Sequence, residues 1–185
     1  MIYIIDDFLD DKVFEFIKKD LNTFEKIETE DKNFWVINPS DAFKKYMTQR
    51  LELHEGRTIT DCFSFFREAK KNQDDDWRIH NDTHSGVYDE KPDRAAVFFI
   101  SDDDHEELNG TAFWQHVKYG DRFPKDSSEQ EANRMLKEDA NDLSKWKLKS
   151  VIGHKKNRLI SYPCEYFHSK YHNEFKNSRK AVSYT

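Results

Sequence analysis

From residue 58 onward, the apolar residues of the chain occur in short runs that polar stretches separate. The runs are rich in β-branched and aromatic side chains, a composition typical of β-strands. Six segments have this character: 58–66, 77–80, 95–101, 111–114, 158–162 and 181–184. They do not alternate regularly with helical segments, as the strands of a doubly wound parallel sheet would. The pattern therefore predicts a sandwich or barrel of short strands.

The front of the chain follows a helical pattern instead. After a short apolar strand at 1–5, Asp10 can cap a helix over 11–21, in which apolar residues recur at helical spacing. A second amphipathic helix begins after Ser40, and the segment 34–37 between the helices is expected to be a strand. We expect this front part to be a helical support for the β-structure.

One polar segment interrupts the later strands. Within 127–146, Ser128 and Glu131 match a capping box, and apolar residues follow loosely at helical period. We expect a helical insertion over about residues 120–148. The combined prediction is an α+β fold, with helices at the front and an all-β core that carries this insertion.

The composition indicates that these segments belong to one folded domain. Only 36% of the 185 residues are hydrophobic and 36% are charged, but 15% are aromatic. Disordered chains have few aromatic residues, and each buried aromatic side chain removes a large area from water. We therefore expect a single domain over residues 1–185, with a helical support region at 1–57 and the β core at 58–185.

Several classes of protein are excluded or made less favourable by the same features. No apolar run approaches the roughly 20 residues that cross a bilayer, and the acidic start of the chain is unlike a signal peptide. Two cysteines, Cys62 and Cys164, cannot build a disulfide framework, so a cytoplasmic location is expected. The net charge of −6 argues against a nucleic-acid partner. The chain also has no Gly-rich phosphate-binding motif.

A first group of chemically active residues lies in and just after the second strand segment. His80, Asp82 and His84 alternate, so a continuing strand would place them on one face. A histidine and a carboxylate two residues apart can bind one metal ion, and two histidines with one carboxylate form the facial triad of non-haem Fe(II) oxygenases. On its own, however, this pattern is common in polar surface strands.

Two further groups lie near the C-terminus. The apolar segment 158–162 ends at Pro163, His168 follows just beyond it, and His172 lies four residues later. Arg179 opens the last strand segment, and its guanidinium can pair with a carboxylate through two parallel charge-assisted hydrogen bonds. Each of these groups, taken alone, is more often an ordinary set of surface side chains.

The order of the three groups resembles the Fe(II)/2-oxoglutarate-dependent dioxygenase superfamily, most closely its prolyl 4-hydroxylase-like branch. Members have an HxD pair, a distal histidine after an apolar strand, and a basic residue shortly after it. Flanking sequence at 4–9, 95–101 and 108–114 is also similar, although Asn109 stands where members often have the first of two glycines. The resemblance implies a double-stranded β-helix, a jelly-roll barrel with the metal at its mouth.

The resemblance also implies roles for individual residues. His80, Asp82 and His168 would bind Fe(II), Arg179 would pair with the far carboxylate of 2-oxoglutarate, and no catalytic residue is implied beyond the metal ligands. The implied activity uses O2 and hydroxylates a peptide, an amino acid or a small metabolite, with release of succinate and CO2. His84 remains an alternative to one of the histidines.

Other assignments stay open at this point. His172 is an alternative distal ligand, and Trp77, Arg94 and Trp114 are candidates for lining the substrate pocket. The helical insertion accounts for the long spacing between the HxD pair and the distal histidine. It is expected either to cover the entrance or to serve as a solvated brace. The oligomeric state is not predicted.

Two functions from other classes fit the same pattern. A cupin-like β-barrel could bind a ligand in this pocket without catalysis, and it would be recognised by the absence of metal after iron supplementation. A zinc hydrolase could use the same histidines and aspartate, although the chain lacks a general-base motif such as HExxH.

Overall fold

The computed structural model describes residues 1–20, 25–29, 32–37, 39–69, 78–83, 92–102, 110–124, 127–171 and 179–184. The strands are β1 (Tyr3–Ile5), β2 (Glu25–Thr29), β3 (Lys32–Ile37), β4 (Ser64–Ala69), β5 (Arg94–Phe99), β6 (Thr111–His116), β7 (Trp146–Ile152), β8 (Leu159–Pro163), β9 (His168–Lys170) and β10 (Arg179–Tyr184). The helices are α1 (Asp11–Asp20), α2 (Asp41–Glu55) and α3 (Glu129–Glu138), with a 3-10 turn at Leu143–Lys145. Within this part of the chain, no helix is long and apolar enough to cross a membrane.

The strands form two antiparallel sheets. The larger sheet has the order β1-β8-β5-β10-β4-β3-β2, and the smaller has the order β7-β6-β9. A core cluster joins the sheets, since it combines Phe99, Ile160 and Ala181 of the larger sheet with Phe113 of the smaller. The predicted combination of helices with a core of short strands is thereby confirmed.

Alternation along β5 assigns the two faces of the larger sheet. Ala95 and Phe99 belong to the core between the sheets, whereas Ala96 and Phe98 belong to a second core cluster. That second cluster includes apolar residues of α1 and α2, namely Phe14, Ile17, Met47 and Leu51. The two front helices therefore cover the outer face of the larger sheet.

The predicted caps of the later helices are present. The backbone N–H of Phe43 donates to Oγ of Ser40 over 3.3 Å, and that of Glu131 donates to Oγ of Ser128 over 3.2 Å. Each bond satisfies one of the donors that a helix start leaves without an intrahelical partner. The helical character of both segments is therefore confirmed.

The structure differs from the sequence prediction in several strands. The front region contains β2 in addition to the two strands predicted there. The insertion helix ends at Glu138, so Trp146 begins β7 instead of closing a helix. Both β7 and β2 are edge strands. Each carries charged residues that blunt an open edge and hide the apolar pattern of a strand.

The segment 58–66 is only partly a strand. Residues 58–63 are not part of a strand, and β4 begins at Ser64. The N–H of Ile59 donates to the side chain of Glu52 over 2.8 Å, and that of Cys62 donates to Oδ1 of Asp61 over 2.8 Å. Carboxylates therefore take backbone donors that a strand would give to its neighbour.

Asn157 ties the start of the chain to the turn before β8. Its side chain accepts from the N–H of Leu9 over 3.0 Å and donates to the carbonyl of Leu9 over 2.8 Å. The residue is 3% exposed, and its φ of 60° lies in the left-handed region that asparagine tolerates better than alanine.

We expect Asn157→Ala to lower the free energy of unfolding by about 3 kcal/mol, because it leaves two buried backbone groups of Leu9 without their partners. Asn157→Gly should lose the same bonds but relieve the backbone conformation, so its stability should lie between those of alanine variant and wild type. Urea unfolding of the three proteins measures the order. An alanine variant as stable as wild type would contradict the prediction.

His116 is buried where the smaller sheet meets the segment that follows it. Its Nδ1 accepts from the N–H groups of Lys118 and Tyr119 over 3.2 and 3.3 Å, and its Nε2 lies 3.2 Å from Oδ2 of Asp139. Burial lowers the pKa of His116, and the opposing effect of the Asp139 carboxylate is smaller. The imidazole is therefore neutral in the folded protein, with its proton on Nε2.

Acidification should destabilise the protein in part through His116. Its pKa is lower folded than unfolded, so the unfolded chain binds more protons as the pH falls through the ordinary histidine value, and the free energy of unfolding falls with it. We expect a lower urea midpoint at about pH 5.5 than at about pH 7.5, on either side of the ordinary pKa, and a smaller difference in His116→Gln. Burial also lowers the pKa of His54, so some dependence should remain. An unchanged pH dependence in the variant would refute the assignment.

Candidate metal centre

His80 and His168 face each other on neighbouring strand segments. The N–H of His80 donates to the carbonyl of His168 over 3.0 Å, and the N–H of His168 donates to the carbonyl of His80 over 2.8 Å. This double exchange defines a directly opposed antiparallel pair. Residues 78–83 therefore lie beside β9, next to the smaller sheet, and the two imidazole centroids stand 4.5 Å apart.

Asp82 completes the group. Its backbone N–H donates to the carbonyl of Cys164 over 3.0 Å. Its carboxylate oxygens lie 3.8 Å from Nε2 of His80 and 3.5 Å from Nε2 of His168. One ligand atom from each of the three residues lies within 4.8 Å of the others, and among the described residues this is the one group of at least three such side chains that could hold a metal ion.

The outer nitrogen of each imidazole has a backbone partner. Nδ1 of His80 lies 2.8 Å from the carbonyl oxygen of Arg78, and Nδ1 of His168 lies 3.0 Å from that of Tyr166. A carbonyl oxygen can only accept, so these contacts assign the proton to Nδ1 and the lone pair to Nε2. Both Nε2 atoms are on the side of the Asp82 carboxylate, so the chemistry of the three donors fits a divalent metal.

The exposure of the three side chains is graded. The side chain of His168 is 8% exposed, that of Asp82 19% and that of His80 45%. His168 packs against the buried ring of Tyr162, with centroids 4.8 Å apart. The group therefore lies at the rim of the core between the sheets, with its open side at His80.

Cys164 is close to this group but is not a suitable ligand. The residue is fully buried, and burial raises the pKa of its thiol, with a further contribution from the charge of Asp82. A thiol that stays protonated is neither a metal ligand nor a nucleophile. Cys164 is therefore a buried, unreactive side chain beside the three candidate ligands.

The structure places Arg179 on the larger sheet. It begins β10, where it is paired with Ala69 of β4, and Ala181 two positions later belongs to the core between the sheets. Trp77, His84 and His172 lie outside the described residues.

Arg94 contacts side chains of α2 and β8. Its Nε donates to Oε1 of Glu55 in α2 over 2.8 Å and to Oγ of Ser161 over 3.0 Å, and its guanidinium stacks over the ring of Tyr3. These contacts lie on the helix-covered face of the larger sheet. Ala96, two positions after Arg94 on β5, belongs to the core on the same face. The role of Arg94 in lining the substrate pocket stays a prediction.

The Trp114 side chain lies on the face of the smaller sheet opposite to the face that carries His168. Its Nε1 donates to Oγ of Ser169 over 2.9 Å, and its ring packs against the cluster under α3. The preceding residue, Phe113, is the one that faces the core and is paired with His168. The role of Trp114 in lining the substrate pocket stays a prediction.

The sequence prediction missed the residues that orient the ligands. Arg78 and Tyr166 each precede a histidine of the triad by two positions and act through their carbonyl oxygens. A backbone carbonyl leaves no side-chain signal. Only the common spacing of two residues before each histidine could have indicated them.

Comparisons with known proteins identify the fold. No protein-family model matches the chain, and no curated protein matches it in sequence. The structure of HygX from Streptomyces hygroscopicus, with nickel, 2-oxoglutarate and hygromycin B bound, covers 99% of this chain and 82% of its own at 12% identity, with a TM-score of 0.61. The epimerase SnoN from nogalamycin biosynthesis covers 100% and 78% at 10% identity, with a TM-score of 0.63.

A prolyl-4-hydroxylase from Pseudomonas putida also matches, with 99% of this chain and 90% of its own covered at 9% identity and a TM-score of 0.53. The chain has the fold of these enzymes. SnoN and SnoK are described as α-ketoglutarate-dependent, one an epimerase and the other a carbocyclase. The shared fold therefore includes enzymes of several reaction types, and the prolyl 4-hydroxylase-like branch stays a prediction.

Proposed function

We propose that the protein is a non-haem Fe(II)- and 2-oxoglutarate-dependent oxygenase. The observation that carries the proposal is the convergence of His80, Asp82 and His168 on a fold that structural neighbours use with 2-oxoglutarate and a metal. Two imidazole nitrogens and one carboxylate form a facial set that leaves coordination positions open for further ligands. When bound there, Fe(II) with 2-oxoglutarate and O2 would supply the oxidising chemistry, with succinate and CO2 as products.

The chain contributes position and environment. The carbonyls of Arg78 and Tyr166 hold the Nδ1 protons, so that both Nε2 atoms can act as donors. The hydrogen bond from the backbone N–H of Asp82 to the carbonyl of Cys164 anchors the backbone of the residue whose carboxylate lies near both Nε2 atoms. Tyr162 and the core behind His168 exclude water from the buried side of the site.

We further propose that Arg179 binds the far carboxylate of 2-oxoglutarate. Its guanidinium is suited to two parallel hydrogen bonds with a carboxylate. Because alternate residues of a strand share a face, we expect Arg179 on the same face as Ala181, which belongs to the core between the sheets. Strand alternation thus supports the binding of the 2-oxoglutarate carboxylate by Arg179, a role that the order of motifs in the sequence also implies.

The proposed reaction is hydroxylation of a peptide, an amino acid or a small metabolite, as in the prolyl 4-hydroxylase-like branch. The match to a prolyl-4-hydroxylase from Pseudomonas putida supports this branch. The match to HygX, whose structure has hygromycin B bound, supports a small-molecule substrate equally. We propose a cytoplasmic enzyme without a nucleic-acid partner or membrane attachment, in keeping with the free thiols of Cys62 and Cys164.

The test is to load the purified protein with Fe(II) without oxygen and to add 2-oxoglutarate. We expect a visible charge-transfer absorption, and succinate release when O2 and a pool of peptides or amino acids are supplied. Zn(II) is the matched control, because it should occupy the site without supporting succinate release. Metal-free protein after iron loading would favour a binding module, and hydrolysis with Zn(II) but no affinity for 2-oxoglutarate would favour a hydrolase.

A further inference from the structure

The segment between β6 and β7 contacts both strands that carry the histidines. This insertion, defined here as residues 117–145, is described except for residues 125 and 126. The N–H of Ile79 donates to the carbonyl of Ala140 over 3.1 Å, and the N–H of Phe167 donates to the carbonyl of Asp121 over 3.3 Å. We infer that the insertion positions both histidine ligands from behind the sheet, and this inference rests on the proposed metal site.

The residues that the insertion grips are the immediate neighbours of the ligands. Ile79 precedes His80 and Phe167 precedes His168, and both are 0% exposed. They share a core cluster with Phe123, Ala132, Met135 and Trp146. Successive residues of a strand point to opposite faces, so anchoring Ile79 and Phe167 in this cluster directs both imidazoles to the other face, where Asp82 lies.

A second set of contacts leads from the insertion to one histidine. Arg122 donates to Oε1 of Glu165 over 2.9 Å and to the hydroxyl of Tyr166 over 3.0 Å, and its guanidinium lies over the Tyr166 ring. The carbonyl of Tyr166 in turn accepts from Nδ1 of His168. Arg122 is therefore a positioning residue that holds the turn from which His168 is oriented.

The location of α3 separates this role from that of a lid. The helix packs on the face of the smaller sheet that carries Trp114 and Phe167, and the metal centre lies on the face that carries His168. The described residues of the insertion thus act on the centre through the sheet. The expected consequence is that changes to the buried side chains of α3, such as Met135, alter the affinity and geometry of the metal without touching metal or substrate.

The first test compares two methionines that differ only in location. Met135 is 1% exposed behind the metal centre, and Met47 is 0% exposed in the cluster under α1 and α2. Both alanine variants should lower the melting temperature, because each leaves a cavity in a core. Calorimetry with Ni(II) should show an affinity about tenfold or more weaker in Met135→Ala, the size of effect known for groups that orient metal ligands. Met47→Ala should bind Ni(II) as wild type does.

The second test uses surface arginines, whose replacement leaves folding intact. Arg122→Ala is compared with Arg134→Ala, since their side chains are 50% and 55% exposed and each is paired with a glutamate. We expect the visible spectrum of the Co(II) form to change, and Ni(II) affinity to fall, only in Arg122→Ala. Equal affinities and spectra in the two variants, or equal losses in the two methionine variants, would overturn the inference. If the wild-type protein binds Ni(II) but not 2-oxoglutarate, the proposed function fails, and the comparison of variants still decides the inference.

Discussion

Asp82→Ala is expected to abolish succinate release and to weaken metal binding by more than about 100-fold, since changes to groups behind the ligands alone cost about 10- to 100-fold. Asp82 supplies the negative charge of the triad, and its oxygens lie 3.8 Å from Nε2 of His80 and 3.5 Å from Nε2 of His168. Without it, two neutral imidazoles remain to hold a divalent cation. Calorimetry with Ni(II) and a succinate assay measure the two effects.

Asp41→Ala is the matched control for this prediction. The Asp41 carboxylate is fully exposed in the first turn of α2 and pairs only loosely with Lys44, at 3.8 Å. Its removal should leave both metal affinity and turnover unchanged. Wild-type metal affinity in Asp82→Ala would show that other residues hold the metal, and His84 would then be the first to test.

Part of the triad could be predicted from a local pattern in the sequence. His80 and Asp82 are two residues apart, and strand alternation is enough to place them on one face. Their proximity to His168 depends on the pairing of His80 with His168, which is 88 positions further along the chain. No local sequence pattern contains that pairing. The resemblance to a family supplied that pairing in advance.

For Arg94 and Trp114, the sequence leaves open which face of the sheet each side chain occupies. Arg94 and Trp114 both lie on strands that border the core, but alternation does not tell which alternate set faces the metal. For Trp114 the pairing of β6 with β7 also shifts between Phe113 and Trp114, so a simple count along the strand does not carry through. The faces follow only from which helix packs against which sheet.

Elements with their own local chemistry were easier to predict than edge strands. Ser40 and Ser128 indicate helix starts because the hydroxyl of each accepts a hydrogen bond from the backbone N–H three residues later. β7 shows no such signal, since Lys147 and Lys149 occupy exposed positions at an open edge. Its identity as a strand comes from pairing with β6, a contact that spans the whole insertion.

Arg179→Ala should weaken the binding of 2-oxoglutarate by about 100-fold or more, because two hydrogen bonds between charged groups are each worth about 1.5–3 kcal/mol. Metal affinity should stay at the wild-type level, since β10 belongs to the larger sheet and the three ligands lie on and beside the smaller one. Titration of the anaerobic Fe(II) form with 2-oxoglutarate, followed by its visible absorption, measures the change. Calorimetry with Ni(II) checks the metal.

Lys180→Ala is the control for charge, because it removes one positive charge at the next position of the same strand. Period two expects residues 179 and 180 on opposite faces of β10, so Lys180→Ala should bind 2-oxoglutarate as wild type does. Equal losses in both variants would mean that general electrostatic attraction, not a paired guanidinium, holds the co-substrate. Unchanged binding in Arg179→Ala would move the carboxylate site to another residue while leaving the triad in place. The split between metal affinity and 2-oxoglutarate affinity therefore tests the two halves of the proposed site independently.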